Sequence, residues 1–168
     1  MPRLFTHFTP QDAVQFSAAG HAKPRIVDGT NFPIAVLRFP DAVTSETFFK
    51  LRAALYTSGN LRVDIDWYAE SVNAGDVRWD AAIAAITPDI DDVNIEAKVL
   101  ATAVAITSPH LGGNVKRLHR TQLFIDQLDS LAGEDEVFLR VRRLGADGLD
   151  TLPSEVRVTH IALSYDVP

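Results

Sequence analysis

The side chains able to do chemistry are scattered. Five histidines are present, His7, His21, His110, His119 and His160, and no two are spaced i, i+4 or as His-x-His. A zinc site would therefore have to be assembled from distant strands. The acidic loop Asp89-Ile90-Asp91-Asp92, with Glu96 close by, offers oxygens to a hard cation such as Ca²⁺, as do Asp147 and Asp150 around Gly148. Neither has the spaced ligands and turn glycine of an EF-hand loop, and exposed acidic loops are usually solvated turns. Ser108, Ser130 and Ser154 lack nucleophile-elbow glycines. Gly112-Gly113 precedes Lys116-Arg117, which is not the Gly-Lys-Ser/Thr order of a phosphate loop. Trp67, Tyr68 and Trp79 could form a sugar-stacking platform, although strand parity places both indoles on apolar faces. These residues predict no catalytic site, no metal site and no cofactor.

The elements that would carry these residues read as strands. Leu61, Val63, Ile65 and Trp67 alternate with Arg62, Asp64, Asp66 and Tyr68. Val77, Trp79, Ala81, Ile83 and Ala85 alternate with Asp76, Arg78, Asp80, Ala82 and Ala84, and Val137, Leu139 and Val141 with Phe138, Arg140 and Arg142. Side chains on a strand point to opposite faces in turn, so each run has one apolar and one wet face, as in antiparallel sheets packed on one side. Further strands are expected near 34–39, 46–56, 98–107, 118–126 and 155–166. Turn residues separate them: Thr57-Ser58-Gly59-Asn60, Asn73-Ala74-Gly75-Asp76, Ala132-Gly133-Glu134-Asp135 and Gly145-Ala146-Asp147-Gly148. Asp126 to Leu131 reads as a short helical turn, because Leu128 and Leu131 share a face at spacing three. The Ala-rich run Ala81 to Ile86 is kept as strand. The expected fold is all-β, an antiparallel two-sheet β-sandwich of jelly-roll type with an extended N-terminal arm.

The arm is expected over residues 1–33, with the sandwich over 34–168. The first 33 residues lack strand periodicity and carry isolated Phe5, Phe8, Phe16 and Phe32. Residues 1–40 hold four basic and two acidic side chains, and the rest twelve basic and twenty acidic, for a net −6. Leu4, Phe5, Phe8 and Phe16 are the expected anchors by which such an arm would dock on its own sandwich or on a neighbouring subunit.

Composition excludes several classes. The chain has 168 residues, enough for one core. Without cysteine it has no disulfide framework and no thiolate metal site. No apolar run reaches the roughly 20 residues of a membrane span, and no secretory signal is visible. The acidic balance argues against nucleic acid as a partner.

Residues 61–87, Leu-Arg-Val-Asp-Ile-Asp-Trp-Tyr-Ala followed by Ala-Gly-Asp-Val-Arg-Trp-Asp-Ala-Ala-Ile, resemble a recurring block in small β-sandwich structural proteins of tailed bacteriophages. The stretch Leu128 to Arg143, then Asp150-Thr151-Leu152 and the final strand Val156 to Tyr165, is similar too. The resemblance spans about residues 30–166. It implies a non-enzymatic virion component made in the host cytoplasm, such as a capsid decoration, head-fibre or tail-appendage protein. The partners it implies are further copies of the chain, as a trimer, and the major capsid protein or another virion protein. Two rival classes stay open: a carbohydrate-binding β-sandwich module, which would show aromatics on an outer sheet face or loop, and a sandwich enzyme with a site built from scattered residues.

Overall fold

The computed structural model describes residues 2–14 and 20–168. Its strands are β1 (Arg3–Phe8), β2 (Lys23–Asp28), β3 (Pro33–Phe39), β4 (Thr44–Arg52), β5 (Leu61–Ala69), β6 (Gly75–Ile86), β7 (Val104–His110), β8 (His119–Ile125), β9 (Glu136–Leu144) and β10 (Val156–Asp166). They form two antiparallel sheets. The larger has the order β2-β3-β10-β5-β8, with β1 also on β10, and the smaller has the order β4-β9-β6-β7. The chain is an all-β sandwich of jelly-roll type.

The period-two runs account for the core. Leu61, Val63, Ile65, Trp67, Val77, Trp79, Ile83, Leu139 and Val141 are all buried between the sheets. Trp79 lies edge-on to Phe39 at 5.3 Å and 6.4 Å from Trp67. Burying side chains of this size contributes roughly 1.5–3 kcal/mol each. The indoles are thus core, and the platform of Trp67, Tyr68 and Trp79 is not formed. Tyr68 points to the outer face but is itself covered, with the Arg157 guanidinium 5.9 Å from its ring centre.

The expected N-terminal arm is corrected by the pairing. Residues 3–8 pair with 166–161 of β10, and β2 pairs with β3 throughout its length. β3 pairs with β10 only at Val156 to Val158, so β1 and β3 share one edge of β10 end to end. Backbone groups on that edge need partners, and β1 supplies them beyond Val158. The sequence reason is a short alternation: Leu4 and Phe8 face the core while Phe5 and His7 face out.

Other departures are local. The strand expected at 98–107 begins at Val104, because Pro88 and the acidic run after it divert the chain into a loop with a single 3-10 turn, Ile95–Ala97. Asp126 to Leu131 is not helical. Leu131 N–H donates to Leu128 O, and both central residues, Asp129 and Ser130, have positive φ. That is the geometry of a mirror-image reverse turn, which Asp tolerates better than most residues. The Ala81 to Ile86 run is strand, as expected.

Candidate functional site

The outer face of the smaller sheet carries a groove of about 500 Å³. Its floor is built by cross-strand register. Lys50 of β4 lies opposite Phe138 of β9, Phe48 opposite Arg140, and Ala84 of β6 opposite Phe138. Phe48 and Phe138 are therefore diagonal neighbours on adjacent strands, close enough for both rings to meet one ligand. Both rings are half-buried. Ala84 adds no bulk, so the floor stays low beside them. One wall is the loop after β6, through Ile95, Glu96, Lys98 and Leu100, and the other is Val14. Val14 is held there by its N–H donating to Phe48 O at 2.9 Å.

Polar groups rim this apolar floor. Lys50 pairs with Glu136, and its ammonium sits 5.7 Å from the centre of the Phe138 ring. Lys98 pairs with Asp129 at 3.0 Å. Arg140 faces Glu46 at 3.9 Å, and its buried Nε has no hydrogen-bond partner among the described residues. Burial, then the neighbouring Arg142 charge, push the Arg140 guanidinium below its ordinary pKa. Apolar rings flanked by a few convergent donors and acceptors form the usual chemistry of a small-molecule or oligomer site.

The residues singled out in the sequence fall elsewhere. Of the expected anchors, Leu4 packs on the core, Phe8 is buried against Phe49 at 4.7 Å, and Phe5 is 44% exposed beside His7. Phe16 lies outside the described residues. Three of the acidic side chains serve turns and an ion pair, and Glu96 lines the groove. Asp91 accepts from Thr87 N–H, Asp147 accepts from Leu149 N–H, and Asp150 is taken by Arg143. Among the described residues no group of three or more His, Asp or Glu side chains converges as a metal cage. Ser108 accepts a hydrogen bond from Thr121, which in turn accepts from Trp67 Nε1. Neither Phe48 nor Phe138 stood out in the sequence. The available signal was a phenylalanine at the wet parity of each strand, two residues from a charged side chain.

His110 and His119 meet at the β7–β8 edge of the sandwich, with ring centres 4.8 Å apart. His110 Nδ1 donates to Asn73 O at 2.8 Å, and among the described residues the Nε2 atoms of both rings are buried without a partner. Burial, then His110, then Arg117 hold His119 below the ordinary imidazole pKa. The fold therefore prefers neutral His119, while the unfolded chain takes up a proton near pH 6.5. Stability is fully present above that pH and falls as the pH drops through it toward the lower folded value. Urea unfolding from pH 7.5 to 5 should show this loss, and His119→Gln should flatten it. An unchanged slope in that variant would mean other groups set the dependence.

No protein-family model matches the sequence, and no curated protein matches it. Solved structures do resemble it. One is an isomalto-dextranase from Arthrobacter globiformis T6 complexed with panose, with TM-score 0.59 and 9% identity over 95% of this chain and 23% of that one. Another is the Agl-KA catalytic domain, with TM-score 0.54 and 15% identity over 98% of this chain and 28% of that one. The chain spans about a quarter of the length of both. A family 36 carbohydrate-binding module of a multidomain xylanase from the hindgut metagenome of Trinervitermes trinervoides aligns over its full length, with TM-score 0.49 and 8% identity. At these identities the likeness is one of fold.

Proposed function

We propose that this chain is a carbohydrate-binding module whose ligand lies in the groove on the outer face of the smaller sheet. The observation that carries this reading is the pair of half-buried rings, Phe48 and Phe138, brought together on a low floor between two walls. A sugar ring presents an apolar C–H face and an equatorial rim of hydroxyls. The C–H face suits an aromatic surface, and the rim suits charged donors and acceptors such as Lys50, Glu96 and Lys98. The fold likeness to part of an isomalto-dextranase complexed with panose is in keeping with this reading.

The test is isothermal titration with panose and a panel of soluble α- and β-linked glucans and xylan. The wild-type chain should bind at least one glycan class. Phe48→Ala and Phe138→Ala should each weaken that binding about tenfold or more, since truncating a large apolar contact removes roughly 1.5–3 kcal/mol. Binding that survives both substitutions places the site elsewhere. If the panel yields nothing and the protein sediments as a trimer, the virion reading implied by the sequence resemblance takes its place.

A further inference from the structure

We propose that His7 and His160 form a site for a divalent late first-row metal ion of tetragonal preference, copper(II) or nickel(II), on the outer face of the larger sheet. The β1–β10 register sets His7 opposite Ala162, which makes His160 its diagonal neighbour on the same face. His7 Nδ1 and His160 Nε2 face each other at 3.0 Å, with ring planes 30° apart. Metal–nitrogen bonds of about 2.0–2.1 Å to two atoms at that spacing subtend roughly a right angle at the metal. That is the cis angle of square-planar or tetragonal coordination, preferred by copper(II) and nickel(II) over zinc. Each metal–nitrogen bond then lies roughly 45° off the line joining the two nitrogens, so both rings turn outward about their Cβ–Cγ bonds to direct their lone pairs at the ion, and water completes the coordination.

The surroundings prepare the pair for this. Asp66 Oδ2 lies 3.6 Å from His160 Nδ1, and Asp66 is itself gripped by Arg120 through two hydrogen bonds of 2.6 and 2.7 Å. A carboxylate behind the far nitrogen, too distant for a hydrogen bond at 3.6 Å, favours a proton on Nδ1 through its charge and so a lone pair on Nε2 toward the site. His7 lies alongside the Phe5 ring, with centroids 6.0 Å apart. Without metal, the facing nitrogens share one proton in a hydrogen bond. On binding, that proton moves to the outward Nε2 of His7, so both facing nitrogens coordinate. The ion ties β1 to β10, and among the described residues β10 is the only strand that β1 pairs with.

The test uses CuCl₂ and NiCl₂ with the full chain, freed of metal beforehand. We expect one ion per chain by titration, copper bound more tightly than nickel, nitrogen ligation in the copper EPR spectrum, and a rise in Tm with stoichiometric metal. His160→Ala and His7→Gln should each weaken binding at least tenfold. The glutamine keeps hydrogen-bonding capacity at position 7 but cannot replace the imidazole ligand. Asp66→Asn should weaken binding through the charge that favours a proton on His160 Nδ1. If the His7→Gln/His160→Ala double variant, shown folded by circular dichroism, binds copper as well as the wild type does, or if neither binds, the pair is a hydrogen bond alone and the proposal fails.

Discussion

Replacing Arg143 by methionine is expected to lower the unfolding free energy by about 3–5 kcal/mol. Arg143 is fully buried and sits at the inward parity of β9, in line with Val137, Leu139 and Val141. Its guanidinium grips Asp150 with two hydrogen bonds, Nε to Oδ2 at 2.9 Å and an Nη to Oδ1 at 2.7 Å. Its remaining N–H groups donate to the carbonyls of Leu152, Ser154 and Phe39. One side chain thus closes the loop after β9 and fastens it to the end of β3. Removing it strands Asp150 as a buried carboxylate, the costly half of a broken pair. Arg143→Lys should lose much of the same energy, because an ammonium cannot form the two-pronged contact and reach three carbonyls. The double variant Arg143→Met/Asp150→Leu should recover a large part of it. Urea midpoints at constant m-value read all three. A single Arg143→Met variant as stable as the wild type would show that Asp150 finds water or another partner.

Deleting residues 1–30 should abolish cooperative folding. The deletion removes β1 and β2, opens one edge of β10, and takes Phe8 away from Phe49. A graded version is Phe8→Ala, expected to cost about 3–5 kcal/mol as a buried aromatic truncation. Calorimetry of the truncated chain decides the point. A sharp transition at an unchanged Tm would mean that the sandwich from β3 to β10 stands alone and that β1 and β2 merely rest on it.

The two-sheet fold was legible because Leu61 to Trp67 and Val77 to Ala85 report their environment locally, each residue by its neighbour two positions away. Functional geometry was not, because it depends on register. Phe48 and Phe138 become a site only through β4–β9 pairing, and His7 and His160 only through β1–β10 pairing. β1 escaped notice because it has only three inward positions, one of them Thr6. Arg143 was visible as a charge at an apolar parity, and its partner Asp150 lies only seven residues on. The glycine-containing turn between them hid the pairing by making Asp150 look like a solvated loop acid.

The shared edge of β10 also governs the order in which the molecule can be made. β10 follows the other nine strands described, yet it lies between β5 on one side and β1 and β3 on the other. Arg3 pairs with Asp166, so β1 waits for β10, which follows it by more than 140 residues. Until then the larger sheet exists as two fragments, β2-β3 and β5-β8, each with an unpaired edge. The smaller sheet lacks this dependence, since β4, β6, β7 and β9 all precede β10. Synthesis thus leaves a half-finished sandwich exposed, and closure by such sequence-distant pairing is slow. A chain cut before β10 would keep its central seam open and be prone to join a second copy through those edges.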